Sequence, residues 1–217
     1  MPSLTAIILT AIMSGKKGVG ALLRKIVQGR VHIRWYAAAL LLVPLLLSIA
    51  LGLYLLLGGA PLVVLWVTLP FSFLLYLIVA GLGEELGWRG FALPRLQEKR
   101  PAFSASLMLG VIWGLWHLPI LVVASQPLTP LFVVGGTIFV VIMVGFSVLS
   151  AWIYNNTRGS LLLVILFHAA ITMSLNTFLI AYRSPLPGVL MLVVLWLTIA
   201  IIVRTSAIAA RRQPSLA

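Results

Sequence analysis

Three acids and three histidines are all that this chain offers for acid–base chemistry, and no aspartate is among them. Two of the acids, Glu84 and Glu85, are adjacent in GLGEELGWRGF at 81 to 91, just ahead of Arg89. At 100° per residue Glu85 and Arg89 lie about 40° apart on a helix, close enough for an i to i+4 ion pair, while Glu84 points about 100° away from Glu85. That spacing divides the labour. Arg89 pairs with Glu85 and fixes the helix, and Glu84 is left to act as a general base on water. The plainer alternative is that both carboxylates are helix-end charges neutralised by Arg89.

His117 lies in VIWGLWHLPI at 111 to 120, one turn after Trp113 and just before a Leu-Pro step. His168 lies in LFHAAITMSLN at 166 to 176, with Thr172 four residues on and Asn176 a further turn along. Ala169 and Ala170 beside it permit a close helix approach. Each piece alone reads as a packed histidine or interhelical glue. Together, a carboxylate and two imidazoles suffice for peptide hydrolysis: one carboxylate and one histidine deprotonate water, and the other histidine, with a nearby hydroxyl or amide, donates to the oxyanion. The same groups could ligate zinc, which would itself acidify a bound water. The residues leave both mechanisms open, so the cofactor is either zinc or none.

These groups must be positioned by elements suited to lipid. Of 217 residues, 62% are hydrophobic and only 8% charged, with a mean hydropathy of +1.19. The apolar runs are long enough to cross a hydrocarbon core of about 30 Å, which takes about 20 helical residues. Spanning helices are predicted at Tyr36 to Leu57, Pro61 to Leu82, Phe103 to Ala124, Leu131 to Ile153, Ser160 to Ala181 and Pro187 to Val203. Turn chemistry separates them, as in GGAP at 58 to 61 and NNTRGS at 155 to 160. The expected fold class is therefore an all-α polytopic membrane protein of about six spans, since only helices or closed barrels satisfy backbone groups in lipid.

Ahead of the first span, Ser14 to Trp35 carries Lys16, Lys17, Arg24, Lys25, Arg30 and Arg34 among aliphatic residues, and reads as a basic helix lying on the membrane surface. The expected organisation is a basic N-terminal segment over 1–35, a single transmembrane domain over 36–206 and a tail over 207–217. Of the 15 Lys and Arg, Arg183 stands alone in the loops opposite the basic ones, which places both termini in the cytoplasm of a multi-pass cell-membrane protein. The net charge of +12 marks contact with anionic headgroups, not nucleic acid, because the basic residues sit in short segments between apolar runs. With no cysteine, thiolate catalysis and disulfides are excluded. The expected partners are a peptide or protein substrate and the bilayer.

The three motifs resemble those of the CAAX protease and bacteriocin-processing family of intramembrane proteases, which includes the type II CAAX prenyl endopeptidases. Its pattern E-E-x-x-x-R is complete as Glu84, Glu85 and Arg89, and the longer string GEELGWRGFALPRLQ resembles bacterial members. The second motif, F-x-x-x-H, is present as Trp113 to His117, and the third, H-x-x-x-N or H-x-x-x-D, as His168 to Thr172. The similarity covers about residues 70 to 180. It implies that Glu84 and His117 activate water while His168 and its i+4 partner stabilise the oxyanion; for the family a metalloprotease mechanism is also argued. Tryptophan in place of phenylalanine keeps an aromatic wall. Threonine in place of an amide or carboxylate keeps a donor with shorter reach.

The expected function is thus an intramembrane endopeptidase cutting a membrane-associated substrate near the cytoplasmic face. The alternatives are a non-catalytic scaffold or immunity-type member, for which Thr172 speaks, and a small transporter using Glu84, His117 and His168 as relays. One spatial condition governs all three. Counted at about 1.5 Å per residue from the cytoplasmic helix ends, His168 lies roughly 12 Å deep and His117 roughly 20 Å, while Glu84 falls near the interface. Convergence requires a tilted or later second helix, or a water-filled cavity opening inward.

Overall fold

Apolar helices in this chain begin and end where proline, glycine and capping side chains dictate. A computed structural model describes residues 1–60, 66–125, 130–179 and 185–205, and every regular element among them is helical. Helix α1 (Pro2–Arg24) starts on Pro2, in the first turn where a missing N–H is harmless, and breaks at Gly15 with φ 61° and ψ −164°. A 3₁₀ turn over Lys25–Val27 follows, and α2 (Ile33–Leu56) begins under a cap in which the His32 side chain accepts from the Arg34 N–H. The stretch from Ser14 to Trp35 is therefore not the one surface helix expected. Left-handed backbone at Gly15 and extended backbone at His32 divide it, and Pro2–Val27 is itself long and apolar enough to span.

The remaining runs are α3 (Leu69–Lys99), α4 (Ala102–Ser125), α5 (Pro130–Asn156), α6 (Leu161–Ser174) and α7 (Leu186–Thr205), with a π turn over Leu175–Leu179 extending α6. Predicted and observed bounds of α2, α4, α5, α6 and α7 agree within about four residues wherever they are described. Six described helices are long and apolar enough to cross a membrane, which makes this a multi-pass membrane protein. The set differs from the predicted one: α1 joins it, and the described apolar run of α6, Leu161–Thr177, is shorter than the others. Exposed Ile12, Leu56, Phe71 and Ile201 give the outer surface its lipid-facing character, while Trp113, Phe146 and Phe167 fill the interior.

Helix α3 departs most from expectation. The predicted second span stops at Leu82, and its predicted start at Pro61 lies outside the described residues; the helical run continues through Lys99. Two π turns, Leu77–Leu82 and Leu86–Ala92, flank the short α-helical piece Gly83–Glu85. The second widens the helix just ahead of Pro94, whose missing N–H a regular ladder would not accommodate. Glu84 consequently sits midway along α3 and not at its end, which removes the mismatch in depth with His117 and His168.

Close approach holds α3 in place. A Cβ on Gly81 would lie 2.8 Å from the Ile165 carbonyl oxygen of α6, and one on Gly87 would lie 2.6 Å from the Pro2 backbone of α1. Small residues at such crossings let helix backbones meet in lipid. On the other side α4 lies along α5, and α6 packs against α2, α3 and α5.

Candidate active site

Glu84 and Glu85 leave α3 in different directions, as their spacing predicts. Glu85 is wholly buried; its Oε1 accepts from Arg89 Nη1 at 2.7 Å and meets His168 Nδ1 at 2.7 Å. Arg89 and His168 are buried with it, and the Arg89 guanidinium lies 4.3 Å from the centre of the Trp113 ring. One acid, one permanent cation and one imidazole thus tie α3 to α6. A buried carboxylate needs such partners, because an unpaired charge at this depth costs several kcal/mol. Among the described residues Glu85 Oε2 and Arg89 Nε and Nη2 meet no hydrogen-bond partner.

Glu84 is held differently. Its Oε2 accepts two indole N–H groups, from Trp88 at 3.0 Å and from Trp113 at 2.9 Å. Its Oε1 faces His117 Nε2 across 3.9 Å. His117 Nδ1 lies 2.8 Å from the Trp113 carbonyl oxygen. A carbonyl only accepts, so Nδ1 carries the proton, and in the neutral ring Nε2 is left as an acceptor. Glu84 Oε1 and His117 Nε2 are therefore two acceptors, too far apart to bond each other and spaced to receive both O–H groups of one water at about 2.8 Å from each.

Both residues line one cavity of about 790 Å³, whose polar lining includes Tyr76, Glu84, His117, His168, Thr172 and Asn176, and whose walls include Trp113. The Glu84 and His117 side chains keep 16% and 24% exposure, against 0% for Glu85 and Arg89, so the first pair is accessible and the second enclosed. His168 reaches the cavity from the far side of Trp113, with the two rings edge to face at 5.0 Å. The Asn176 amide turns back to donate to the Thr172 carbonyl oxygen at 2.8 Å. The structure thus brings together all six residues singled out from the sequence: Glu84, His117, His168 and Thr172 on the cavity, Glu85 and Arg89 behind it.

Sequence reasoning missed the two indole donors. Trp88 stands four residues after Glu84, and Trp113 four before His117, so the i+4 spacing was the available signal. Phe139 of α5, whose ring is 6.1 Å from that of His117, carried no signal at all.

Comparison with known proteins rests on this geometry. The family described as type II CAAX prenyl endopeptidase Rce1-like matches residues 66–174, half of the chain, from the start of α3 to the end of α6. The chain belongs to that family. A relative, CAAX prenyl protease 2 of Methanococcus maripaludis, is 32% identical over 125 residues, which are 55% of this chain and 46% of the relative. The chain thus spans about half the length of the curated relative it matches. The family's region contains every residue of the two carboxylate–histidine pairs and Thr172, while α1, α2, α7 and Asn176 fall outside it. Among the described residues no group of three or more His, Asp or Glu side chains is placed to hold a metal ion.

Proposed function

We propose that the chain is an intramembrane endopeptidase in which Glu84 and His117 activate a water for attack on a peptide carbonyl. The observation that carries this is the 3.9 Å gap between two acceptor atoms, Glu84 Oε1 and His117 Nε2, on the wall of one cavity. As the water oxygen bonds to the carbonyl carbon, Glu84 takes the proton released and the carbonyl oxygen becomes an oxyanion. His168 Nε2 and the Thr172 hydroxyl are the donors assigned to that oxyanion. With Nδ1 engaged by Glu85, donation from Nε2 uses the imidazolium form, whose charge the carboxylate at 2.7 Å offsets. Collapse breaks the C–N bond, and the proton passes through Glu84 or His117 to the leaving nitrogen. No step is routed through a metal.

The substrate is a membrane-associated peptide cut near the cytoplasmic face. The lopsided distribution of Lys and Arg supports that side. Apolar cavity walls at Val79, Leu115, Trp116 and Ile171 suit an apolar substrate segment. The names of the family and of the relative make CAAX-type peptides, with and without a prenyl group, the first substrates to assay.

The test is cleavage by purified protein in liposomes, with and without a chelator. Glu84→Ala and His117→Ala should each lose on the order of 10³-fold or more while remaining folded. A non-catalytic member, the reading that threonine at position 172 favours, keeps its cellular phenotype in both variants, and that outcome would overturn the proposal. Full loss with chelator, restored by zinc, would replace the Glu84 base by a metal-bound water.

A further inference from the structure

Arg30, Arg34 and Arg158 gather around two adjoining hollows that share no lining residue with the site cavity. The first, about 440 Å³, is lined by Arg30, His32 and Arg158; the second, about 340 Å³, by Arg34, Ala38 and Trp152. Trp35 and Asn156 line both, so the two adjoin. One end is cationic and polar. The other is walled by Trp35 and Trp152, edge to face at 4.8 Å.

All three arginines are exposed, and Arg158 is set in a frame of hydrogen bonds that also holds the Arg30 backbone. Gln28 Nε2 donates to the Arg158 carbonyl at 3.1 Å, Ser160 Oγ donates to the Gln28 carbonyl at 2.6 Å, and Arg158 Nη2 donates to the Arg30 carbonyl at 2.7 Å. Arg158 holds φ 57°, a left-handed conformation unfavourable for a residue with a Cβ. Those bonds sustain it, and they fix the 28–31 stretch against the turn between α5 and α6.

Charge decides what the hollow accepts. The chain has only three acids; Glu84 and Glu85 belong to the site, Glu98 lies in the last turn of α3, and none lines either hollow. Three permanent cations thus line the two adjoining hollows, Arg30 and Arg158 the first and Arg34 the second, with no carboxylate side chain in either lining. Guanidinium groups match phosphate oxygens by their planar fork, and paired tryptophans suit the level where headgroup meets acyl chain. We propose that the two hollows form a site for one anionic phospholipid, its phosphate on Arg30, Arg34 and Arg158 and the first carbons of a chain along Trp35, Ala38 and Trp152. The apolar half favours a lipid over a free phosphate, which would use only the cationic half.

The test is native mass spectrometry of the full chain, stripped of lipid in a neutral detergent and titrated with phosphatidylglycerol, phosphatidylcholine or glycerol phosphate. One phosphatidylglycerol should bind at least about tenfold tighter than phosphatidylcholine, and glycerol phosphate far more weakly than either its lipid or the detergent can mask. Arg30→Gln/Arg34→Gln/Arg158→Gln should abolish the preference, whereas Lys16→Gln/Lys17→Gln/Arg24→Gln, equal in charge removed, should keep it. Arg158 also braces the turn, so Arg30→Gln/Arg34→Gln decides the matter if the triple variant does not fold; it should lose the preference several-fold with an unchanged unfolding temperature. Preference surviving in the arginine variants, or lost equally in the lysine control, overturns the site. Glycerol phosphate binding as tightly as the lipid overturns the lipid assignment.

Discussion

Two indoles donate to the same oxygen of Glu84, and this redundancy predicts how the proposed cleavage responds when they are removed one at a time. A hydrogen bond to a charged group contributes about 1.5–3 kcal/mol, most of it the penalty of leaving that group without a donor. In Trp113→Phe, Oε2 still receives the Trp88 N–H at 3.0 Å, and the phenyl ring retains the aromatic face under Arg89. The cost in transition-state stabilisation should then be about 1 kcal/mol, a roughly fivefold fall in kcat. Trp88→Phe leaves the Trp113 N–H at 2.9 Å and should cost the same. The double variant strips Oε2 of both donors, frees the carboxylate to rotate, and should cost about 3 kcal/mol or more, beyond a hundredfold. The assay is steady-state cleavage with kcat and KM resolved for all four proteins, alongside thermal unfolding to confirm the fold. A double variant whose loss equals the product of the single losses would show that the indoles act independently and refute the shared clamp. A loss carried by KM alone would make both rings part of the substrate wall instead.

Three further expectations follow from the site and its frame. Glu85→Leu leaves the buried Arg89 charge uncompensated and should destabilise by about 3–5 kcal/mol, Arg89→Met leaves Glu85 its His168 partner and should cost less, and Glu85→Leu/Arg89→Met should cost less than Glu85→Leu alone, as read by denaturation in detergent. Thr172→Asn should raise the rate of cleavage and Thr172→Ala should lower it; a silent alanine variant removes Thr172 from the oxyanion site. Gly87→Val sets a side chain against the Pro2 backbone, displacing α1 at a cost of about 1–3 kcal/mol, which protease accessibility of the first 14 residues would reveal.

The parts of the site that follow from local periodicity were legible in the sequence. The Glu85–Arg89 pair and the divergence of Glu84 from Glu85 need only the angle between successive helical residues, and hydropathy alone located α2, α4, α5, α6 and α7. What escaped was set by contact across the chain. The continuation of α3 past Leu82 depends on π turns and on Gly81 and Gly87 meeting α6 and α1, contacts that hydropathy along the chain does not register. Trp113 was legible as an aromatic wall four residues before His117, but its N–H reaches Glu84 from another helix, 29 residues away in sequence. The depth mismatch among the three polar groups was an artefact of ending α3 early.

The Glu85–Arg89 pair lies within one helix, whereas His168 follows 83 residues after Glu85. When α3 first enters the bilayer during synthesis, α6 has yet to be made. Glu85 nevertheless travels with its own counter-ion, and the newborn segment meets lipid with one charge cancelled from within. Arg89 thus serves insertion before it serves the finished site. Its loss should then be felt first as a lower yield of inserted protein.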